Sequence, residues 1–556
     1  MTREVGYQSP AANLAATAAC QTTTDGAAFR FGIAAGHDAI NSRTAFVSPA
    51  SPAKKASPDV SPTMTLTHTP ARLTALIVLG VAALHLAAAA VTPLAFDEAY
   101  YWMWSRHLAG GYLDHPPMVA VVIRLGTMLA GTSEFGIRFA SILLTLPMSW
   151  AVYRTTEILF ASARMAATAT LLFNATMIVG VGMMIITPDA PLMAASAFVL
   201  FFLAKVLETG RGAWWLAVGA AVGVALLSKY TALFFGLQIL LWLVVVPKLR
   251  RWLASPWPYA GGVLAFALFA PVLLWNANNG WASFDKQLGR ARATGFTLKY
   301  IGELIPAQIA FATPLVFLLG AMGVFALLSR RKPGNAPARE LLNFSFWPIL
   351  LYFMFHSLHS RIEANWLAPI YPAFAIVAAV AAHEVKWSAR WQSVADFSRR
   401  WALTGGIIAF ILLVLQANTG ILNGNARDPS VRSVGVGIAD MAAQIEAARV
   451  QHGATCVIAR DYGTTAWLAF YLPKSTCIAQ LGEPLRWINM PPLDSTALQS
   501  TSLLVDAAAF DSSSEFASLC PGAARVAEVK RRRGSLTIET YALTLLPCPL
   551  SKVIRR

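Results

Sequence analysis

Charged residues are scarce in this chain. Asp, Glu, Lys and Arg make up 13% of its 556 residues, about half the share that soluble domains carry. Hydrophobic residues account for 56%, and many apolar runs reach the roughly 20 residues that an α-helix needs to cross a bilayer. The scarcity of charge excludes an ordinary soluble globular protein and predicts a polytopic α-helical membrane protein.

Cysteine is also scarce. The chain has five cysteines, and four of them lie in its C-terminal tail. An even number there favours two disulfides in an oxidising compartment. Cys456 and Cys477 each begin an apolar, β-like run, so one bridge can join neighbouring strands and Cys520–Cys548 can form the second. The other two pairings of these cysteines stay open.

Acidic residues are outnumbered, with 28 against 44 Lys and Arg, which gives a net charge of +16. The basic residues lie mostly in short loops between apolar runs, where they set the orientation of membrane helices. The positive charge therefore does not predict nucleic-acid binding.

The N-terminal region lacks the apolar core of a secretory signal. Residues 1–63 are rich in Ala, Ser, Thr and Pro without an apolar period, which predicts disorder. In a second interpretation, translation starts at Met64, just before the first span. We divide the chain into an N-terminal extension (1–70), a membrane domain (71–418) and a tail domain (419–556).

Eleven apolar segments are predicted to cross the membrane: 72–92, 135–157, 162–184, 191–208, 213–228, 231–247, 257–276, 305–328, 343–358, 365–383 and 401–418. The segment 117–130 is apolar but short, and Arg124 interrupts it. Its length covers about 21 Å of a hydrocarbon core of about 30 Å. We therefore predict that 117–130 is a helix lying on the membrane surface.

Charge in the loops then defines the topology. Fourteen Lys and Arg lie on one side of the membrane, in 154–164, 208–213, 247–257, 329–342 and 384–400. That side is predicted to be the cytoplasm, together with the N-terminus. The opposite side receives the first external loop, 93–134, and the tail domain with its four cysteines, so two independent signals agree.

The tail domain is predicted to be a small α/β fold. Its strands are predicted at Cys456–Arg460, Ser502–Val505 and Leu536–Leu545, and a helix at Gly463–Leu472. The stretch Lys530–Gly534 (KRRRG) fits a hairpin turn. Its basic run Lys530–Arg533 is either solvated or in contact with anionic lipid.

The residues with the clearest chemistry lie at 96–118, in FDEAYYWMWSRHLAGGYLDHPPM. Asp97, Glu98 and Asp114 supply carboxylates beside His115 and several Tyr and Trp side chains. Ionisable groups at a membrane boundary are costly and usually have a task. The alternative is an aromatic belt with solvated charges, but a belt does not need three carboxylates and a histidine.

Four further polar groups are predicted on the same side. Asp189 in TPDAP is either a helix N-cap or a site residue, and Lys229 in SKY is either a snorkelling lysine or a site residue. Arg361 suits bidentate phosphate binding. The loop 277–300 is long enough to be functional, and it contains Trp281, Lys286, Gln287, Arg290 and Arg292.

Together these groups suit chemistry on a lipid-linked phosphate. A carboxylate can remove a proton from an incoming hydroxyl. Cations, or a metal held by carboxylates, can stabilise the departing phosphate. An aromatic surface can hold a sugar and a lipid chain.

The motifs DEAYYWMWSRH…GYLDHPPM, TPDAP, SKYTALFFG and SRIEANWLAPIYP resemble those of the bacterial GT-C glycosyltransferases over residues 70–420. The most similar families are the aminoarabinose lipid A transferases and the rhizobial lipid A and core galacturonosyltransferases. More distant relatives are the dolichyl-phosphate-mannose protein mannosyltransferases (glycosyltransferase family 39).

The resemblance implies a GT-C fold and the inverting transfer of a sugar from a polyprenyl phosphate on the periplasmic face of the inner membrane. It implies that Asp97 is the base with Glu98 beside it, and that Asp114 contacts a divalent metal. His115 is then expected to bind the lipid phosphate when protonated, and to lose that role as the pH rises past about 6.5. The further substrate-binding residues that it implies are Tyr101, Tyr112, Asp189, Lys229, Arg361 and Asn365.

The function predicted is therefore a glycosyltransferase acting on lipid A or the lipopolysaccharide core. A rival acceptor is protein Ser or Thr, or a cell-envelope glycan. A lipid or sugar transporter is disfavoured, because transporters place ionisable groups near the midplane within repeated halves. A non-catalytic assembly factor would tolerate the loss of Asp97. The sugar and the oligomeric state are not predicted.

Overall fold

All eleven predicted apolar segments fall on helices in the computed structural model of the chain. The structure describes residues 68–291, 295–329, 335–421, 424–426, 428–509, 512–549 and 551, and these belong to one compact unit. The predictions for residues 1–63 and Met64 lie outside the described residues, as do Arg292 and the basic run Arg330–Arg331–Lys332.

Helices make up the membrane domain. Its described α-helices are α1 (His68–Val91), α2 (Phe96–Arg106), α3 (Met118–Ala130), α4 (Glu134–Leu143), α5 (Thr145–Phe160), α6 (Ala163–Asn174), α7 (Met177–Met184), α8 (Asp189–Thr209), α9 (Trp214–Leu226), α10 (Phe234–Val245), α11 (Pro256–Asn278), α12 (Ala282–Ala291), α13 (Lys299–Ala312), α14 (Pro314–Leu328), α15 (Ala336–His356), α16 (Tyr371–His383) and α17 (Ala389–Thr419). Short 3-10 helices lie at Tyr230–Leu233, Pro247–Ala254 and Ala364–Ile370.

Several of these helices can span a membrane. Among the described residues, six are long and apolar enough, namely Pro70–Val91, Glu134–Phe160, Asp189–Thr209, Pro256–Asn278, Ala364–His383 and Ala389–Thr419. The number rises to nine if each of three bent helix pairs counts as one span. The chain is thus a multi-span helical protein.

The bends have local causes. The predicted span 305–328 consists of α13 and α14, which meet at 107°. Thr313 adopts a φ of 64° between them, and Pro314 begins α14, where its missing N–H removes no helical hydrogen bond. The predicted span 162–184 bends by 53° between α6 and α7, and the Thr176 side chain caps α7 by accepting a hydrogen bond from Val179 N.

The predicted surface helix 117–130 is α3, a single helix of 13 residues. One face is buried and contains Val119, Ala120 and Ile123. The other face exposes Leu125, Met128 and Leu129. Helix α3 is therefore apolar on two faces: one packs inside the protein, and the other is exposed on its surface.

The tail domain is the predicted small α/β fold. Its strands are β1 (Cys456–Ala459), β2 (Cys477–Gln480), β3 (Ser502–Ala507), β4 (Ala524–Arg533) and β5 (Leu536–Leu546). They form one sheet in the order β2-β1-β3-β5-β4, in which β1 pairs parallel with β2 and β3 and β5 pairs antiparallel with β3 and β4. The helices are α18 (Pro429–Ser433), α19 (Ile438–Gln451), α20 (Tyr462–Tyr471), α21 (Ser495–Leu498) and α22 (Ser512–Phe516).

Two disulfides join the strands and loops of the tail domain. Cys456 pairs with Cys477, at the first register position of β1 and β2. Cys520 pairs with Cys548. These are the pairs favoured by the sequence, and the two alternative pairings do not occur.

The predicted hairpin is present, with its turn at Gly534 and Ser535 between β4 and β5. The basic run Lys530–Arg533 that precedes this turn is not wholly solvated. It is the end of β4, and Arg531 is only 1% exposed. The Arg531 guanidinium donates hydrogen bonds to the carbonyls of Val431, Val434 and Val436. Because side chains alternate along a strand, Arg532 points the other way and is exposed. Half of the run therefore stabilises the fold.

The tail domain packs directly on the motif at 96–118. Helix α20 lies against α2, and the Trp467 indole N–H donates to the Leu94 carbonyl at 2.9 Å. Gly435 N donates to the same carbonyl at 2.8 Å. The first external loop and the tail domain therefore form one continuous wall.

Candidate active site

A large cavity lies where the first external loop, the ends of several membrane helices and the tail domain meet. Its volume is about 1150 Å³, slightly above the usual range of small-molecule sites. Eight of the ten residues predicted for the site line it, namely Asp97, Tyr101, Asp114, His115, Asp189, Lys229, Arg361 and Asn365. Groups from α2, α8 and the segment before α16 are thus brought together.

Asp97 lies in the first turn of α2 and lines the cavity. Its Oδ1 accepts a hydrogen bond from the Tyr462 hydroxyl at 3.1 Å. Burial raises the pKa of Asp97 to about 6, against the opposing effect of that hydrogen bond. A carboxylate with a pKa just below neutral pH is ionised yet basic enough to accept a proton in catalysis.

Glu98 does not line the cavity, so the prediction that it acts beside Asp97 is not supported. Its carboxylate pairs with Arg138, with hydrogen bonds of 2.8 Å and 2.5 Å, and both side chains are fully buried. It also accepts hydrogen bonds from Ala95 N and Ile186 N. Glu98 therefore fixes the start of α2 against α4 and the segment before α8.

Tyr112 does not line the cavity either. Its ring stacks on Trp104 with 4.1 Å between centroids. Its hydroxyl shares one proton between the carbonyls of Trp104 and His107 and accepts a hydrogen bond from Ala109 N. Tyr112 therefore shapes the turn after α2 rather than the cavity wall.

Asp114 is held by cations. Lys286 Nζ lies 2.7 Å from Oδ1, Arg486 Nη1 donates to Oδ2 at 2.5 Å, and the Tyr100 hydroxyl donates to the same oxygen at 3.0 Å. Burial alone would raise the pKa of Asp114, but Arg486 and Lys286 lower it to about 2. The carboxylate is therefore charged and already neutralised.

This environment does not support the prediction that Asp114 binds a metal. Lys286 and Arg486 already occupy its two oxygens, and their positive charges would repel a divalent metal ion at this carboxylate. Over the described part of the chain, no cluster of three or more His, Cys, Asp or Glu side chains could hold a metal ion.

His115 lines the cavity in its neutral form. Burial and the charge of Lys229 lower its pKa to about 3, and Arg290 and Lys286 act in the same direction. The predicted loss of a protonated His115 above pH 6.5 is therefore not supported, because the ring is already neutral well below that pH.

Asp189 and Lys229 form an ion pair in the cavity wall. Lys229 Nζ donates to both carboxylate oxygens, at 2.7 Å and 2.9 Å, and Asn365 Nδ2 donates to Asp189 Oδ2 at 2.6 Å. Pro188, not Asp189, is the N-cap residue of α8. Lys229 is 7% exposed, so it is not a snorkelling side chain. Both side chains line the cavity.

Arg361 lies at the rim of the cavity. Its side chain is 61% exposed and lies 3.8 Å from both Glu303 and Glu363. These separations are long for ion pairs, so the guanidinium is only loosely held.

Among the cavity residues that were missed, two belong to the tail domain. Tyr462 and Arg486 follow Asp97 by several hundred residues, and neither lies in a recognisable motif. Lys286 was noted only as part of a long loop. The packing of α20 on α2 brings the tail residues to the cavity, and the sequence does not reveal this packing.

Comparisons with known proteins agree with this architecture. A protein-family model described as dolichyl-phosphate-mannose-protein mannosyltransferase matches residues 114–275. The lipid A galacturonosyltransferase RgtD of Rhizobium johnstonii is 25% identical over 285 residues, which are 51% of this chain and 59% of RgtD. The chain thus matches about three fifths of the length of this curated relative.

The fold is that of ArnT from Cupriavidus metallidurans. The apo crystal structure of ArnT aligns with a TM-score of 0.62 and 17% identity, covering 87% of this chain and 99% of that chain. The structure bound to undecaprenyl phosphate aligns with a TM-score of 0.59 and 18% identity, covering 86% and 98%. Taken together, the family match, the relative and the shared fold support the GT-C glycosyltransferase superfamily for this chain.

Proposed function

We propose that the chain is an inner-membrane glycosyltransferase that moves a sugar from a polyprenyl-phosphate donor to lipid A or the lipopolysaccharide core on the periplasmic face. The observation that carries the proposal is the joint presence in one cavity of Asp97, with its raised pKa, and the buried cation Lys229. The first suits proton removal and the second suits a phosphate.

In the proposed reaction, the Asp97 carboxylate takes the proton from the acceptor hydroxyl. The hydroxyl oxygen attacks the anomeric carbon of the donor sugar and forms the new glycosidic bond. The bond between that carbon and the phosphate oxygen breaks, and its electron pair leaves with the polyprenyl phosphate. A single displacement of this kind inverts the configuration at the anomeric carbon.

The departing phosphate gains negative charge, which cations in the cavity can stabilise. Lys229 is held in place by Asp189 and Asn365, so little reorganisation is needed when the charge develops. Arg290 lines the same cavity and is a second candidate for contact with the phosphate. His115, being neutral, can only contribute as a hydrogen-bonding group.

Apolar residues in the cavity lining suit the lipid chain of the donor, namely Leu233, Phe234, Leu237, Phe284 and Leu288. Leu237 and Leu288 are substantially exposed, as expected of groups that contact lipid. The description of ArnT with bound undecaprenyl phosphate and of RgtD as a lipid A galacturonosyltransferase supports the choice of donor and acceptor.

The proposal includes an eleven-span topology with the N-terminus in the cytoplasm and the tail domain in the periplasm. The basic loops on the opposite side support this orientation. The disulfides of the tail domain also support it, because such bonds persist in the oxidising periplasm.

Mass spectrometry of lipid A and core from strains with and without the gene tests the proposal. We expect a mass difference equal to one sugar, restored by the wild-type gene. Unchanged lipid A and core would contradict the acceptor assignment and favour protein or an envelope glycan. If the purified protein instead moved intact donor across vesicle membranes without transferring its sugar, the result would favour a transporter.

A further inference from the structure

The tail domain contributes two polar side chains to the cavity. Tyr462 is the first residue of α20, and Arg486 lies in the 3-10 helix Pro484–Trp487. The Tyr462 hydroxyl donates to Asp97 Oδ1 at 3.1 Å, and the Arg486 guanidinium lies 4.3 Å from the centroid of the Tyr462 ring. Arg486 in turn donates to Asp114 at 2.5 Å. A continuous set of contacts therefore links the two cavity carboxylates through the tail domain.

Arg486 is held in position by its own domain. Glu483 accepts hydrogen bonds from Arg486 Nε at 3.1 Å and Nη2 at 2.9 Å. Gln480 donates to Glu483 at 2.9 Å and accepts from the Trp487 indole at 2.7 Å. The Arg486 side chain is only 8% exposed. These partners restrict the buried Arg486 guanidinium to one orientation.

Tyr462 is held by close packing between α20 and α2. The Asp461 side chain caps α20 by accepting from Thr464 N at 2.8 Å. Gly463 directly follows Tyr462, and a Cβ added to it would lie 3.2 Å from the Phe96 Cβ. Glycine therefore allows the close approach that brings the Tyr462 hydroxyl to Asp97.

Building on the proposed function, we propose that Tyr462 and Arg486 are positioning residues of the transfer site. Tyr462 binds one oxygen of Asp97 and leaves the other free to receive the acceptor proton. Arg486 fixes Asp114 and, with Lys286, neutralises its charge. The tail domain thus completes the catalytic unit instead of merely covering it.

This arrangement determines when Asp97 is ionised. The groups that act on Asp97 are Tyr462 from α20, Arg486 from the tail domain, Asp114 from the first external loop and Glu98 from its own helix. Tyr462 and Arg486 favour the carboxylate, whereas Asp114 and Glu98 disfavour it. Removing the Tyr462 hydroxyl or the Arg486 charge should therefore make Asp97 keep its proton to a higher pH.

The test is the pH profile of kcat/KM for sugar transfer from a polyprenyl-phosphate sugar by purified protein in detergent. We expect Tyr462→Phe to move the acid limb up by about one pH unit, the effect of one hydrogen bond to a charged group. Transfer below the limb then falls about tenfold and recovers toward the wild-type rate at pH 8.5. Arg486→Gln should shift the limb in the same direction, and Arg486→Lys should shift it less.

Two matched controls separate positioning from general stability. Tyr471→Phe removes a hydroxyl from the same helix, where it donates to Glu134 at 3.1 Å outside the cavity. Arg449→Gln breaks an arginine–glutamate pair of the tail domain with Glu446, 2.6 Å apart. Both controls should keep the wild-type acid limb. All variants are compared at equal amounts of folded, monodisperse protein.

Acid limbs at the wild-type pH in both Tyr462→Phe and Arg486→Gln would overturn the positioning role, even if the rates fell at every pH. Shifted limbs in the controls would overturn it too, since any loss of tail packing would then give the same result. Absence of transfer by the wild-type protein from every polyprenyl-phosphate sugar would instead contradict the proposed function, and the role built on it.

Discussion

Asp97 and Glu98 are neighbours in the chain, yet their carboxylates occupy opposite environments. Asp97 lines the cavity, whereas Glu98 is fully buried against Arg138. Consecutive residues on an α-helix point about 100° apart, so the first turn of α2 directs one carboxylate to the cavity and the other into the protein. The two acids should therefore fail in different ways when they are replaced.

Replacing Glu98 should destabilise the protein. Glu98→Gln leaves Arg138 charged and buried without its counter-ion, which costs about 3 kcal/mol. We expect a clearly lower melting temperature in detergent. Glu157→Gln is the matched control, since it breaks an exposed pair with Arg154 and should change stability by less than about 1 kcal/mol. Lost transfer at an unchanged melting temperature would instead restore a catalytic role to Glu98.

Transfer by the wild-type protein should depend on the ionisation of Asp97. With a pKa of about 6, Asp97 is protonated at lower pH and cannot act as a base. We expect kcat/KM to fall about tenfold for each pH unit below 6. Because folding raises this pKa from 3.8, the stability it contributes is present below about pH 4 and lost as the pH rises through 6. A rate that stays constant down to pH 5 would contradict this assignment.

Lys229 should be needed for donor binding. Lys229→Gln removes the proposed charge-assisted contact to the phosphate, worth about 1.5 kcal/mol or more, so we expect at least about tenfold weaker binding of undecaprenyl phosphate by calorimetry. Lys205→Gln is the control, because Lys205 pairs with Glu208 outside the cavity. Equal affinities for the two variants would show that Lys229 is structural.

Within the tail domain, Arg531 should stabilise the contact between β4 and the segment 431–436. Arg531→Leu leaves the buried carbonyls of Val431 and Val434 and the half-buried carbonyl of Val436 without their donors, at a cost of about 3 kcal/mol or more. The neighbouring Arg532 is exposed, so Arg532→Leu should change stability by about 0.5 kcal/mol or less. Similar melting temperatures for the two variants would mean that the run is solvated throughout.

Local patterns in the sequence predicted most of the elements. Apolar runs located the helices, and alternation and turns located β1, β3, β5 and α20, because these features depend on nearby residues. A bend such as that at Thr313 was missed, because hydropathy within a window does not report backbone direction. Hydropathy also could not distinguish an aromatic belt from the wall of a cavity.

The partners of the site residues could not be predicted in the same way. Asp97 meets Tyr462 across 365 positions, and Asp114 meets Arg486 across 372. Neither contact leaves a local trace in the sequence. The same is true of His115, whose neutral state depends on its burial and on Lys229. The electrostatics of the site come from packing between distant elements.

The most direct test of the account is the rate of sugar transfer by purified Asp97→Asn, measured at equal amounts of folded protein with a polyprenyl-phosphate sugar as donor. We expect the rate to fall at least about 100-fold, while the melting temperature stays equal to or above that of the wild type, because asparagine removes a charge that burial disfavours. Turnover within a few-fold of the wild-type rate would contradict the role of Asp97 as the catalytic base.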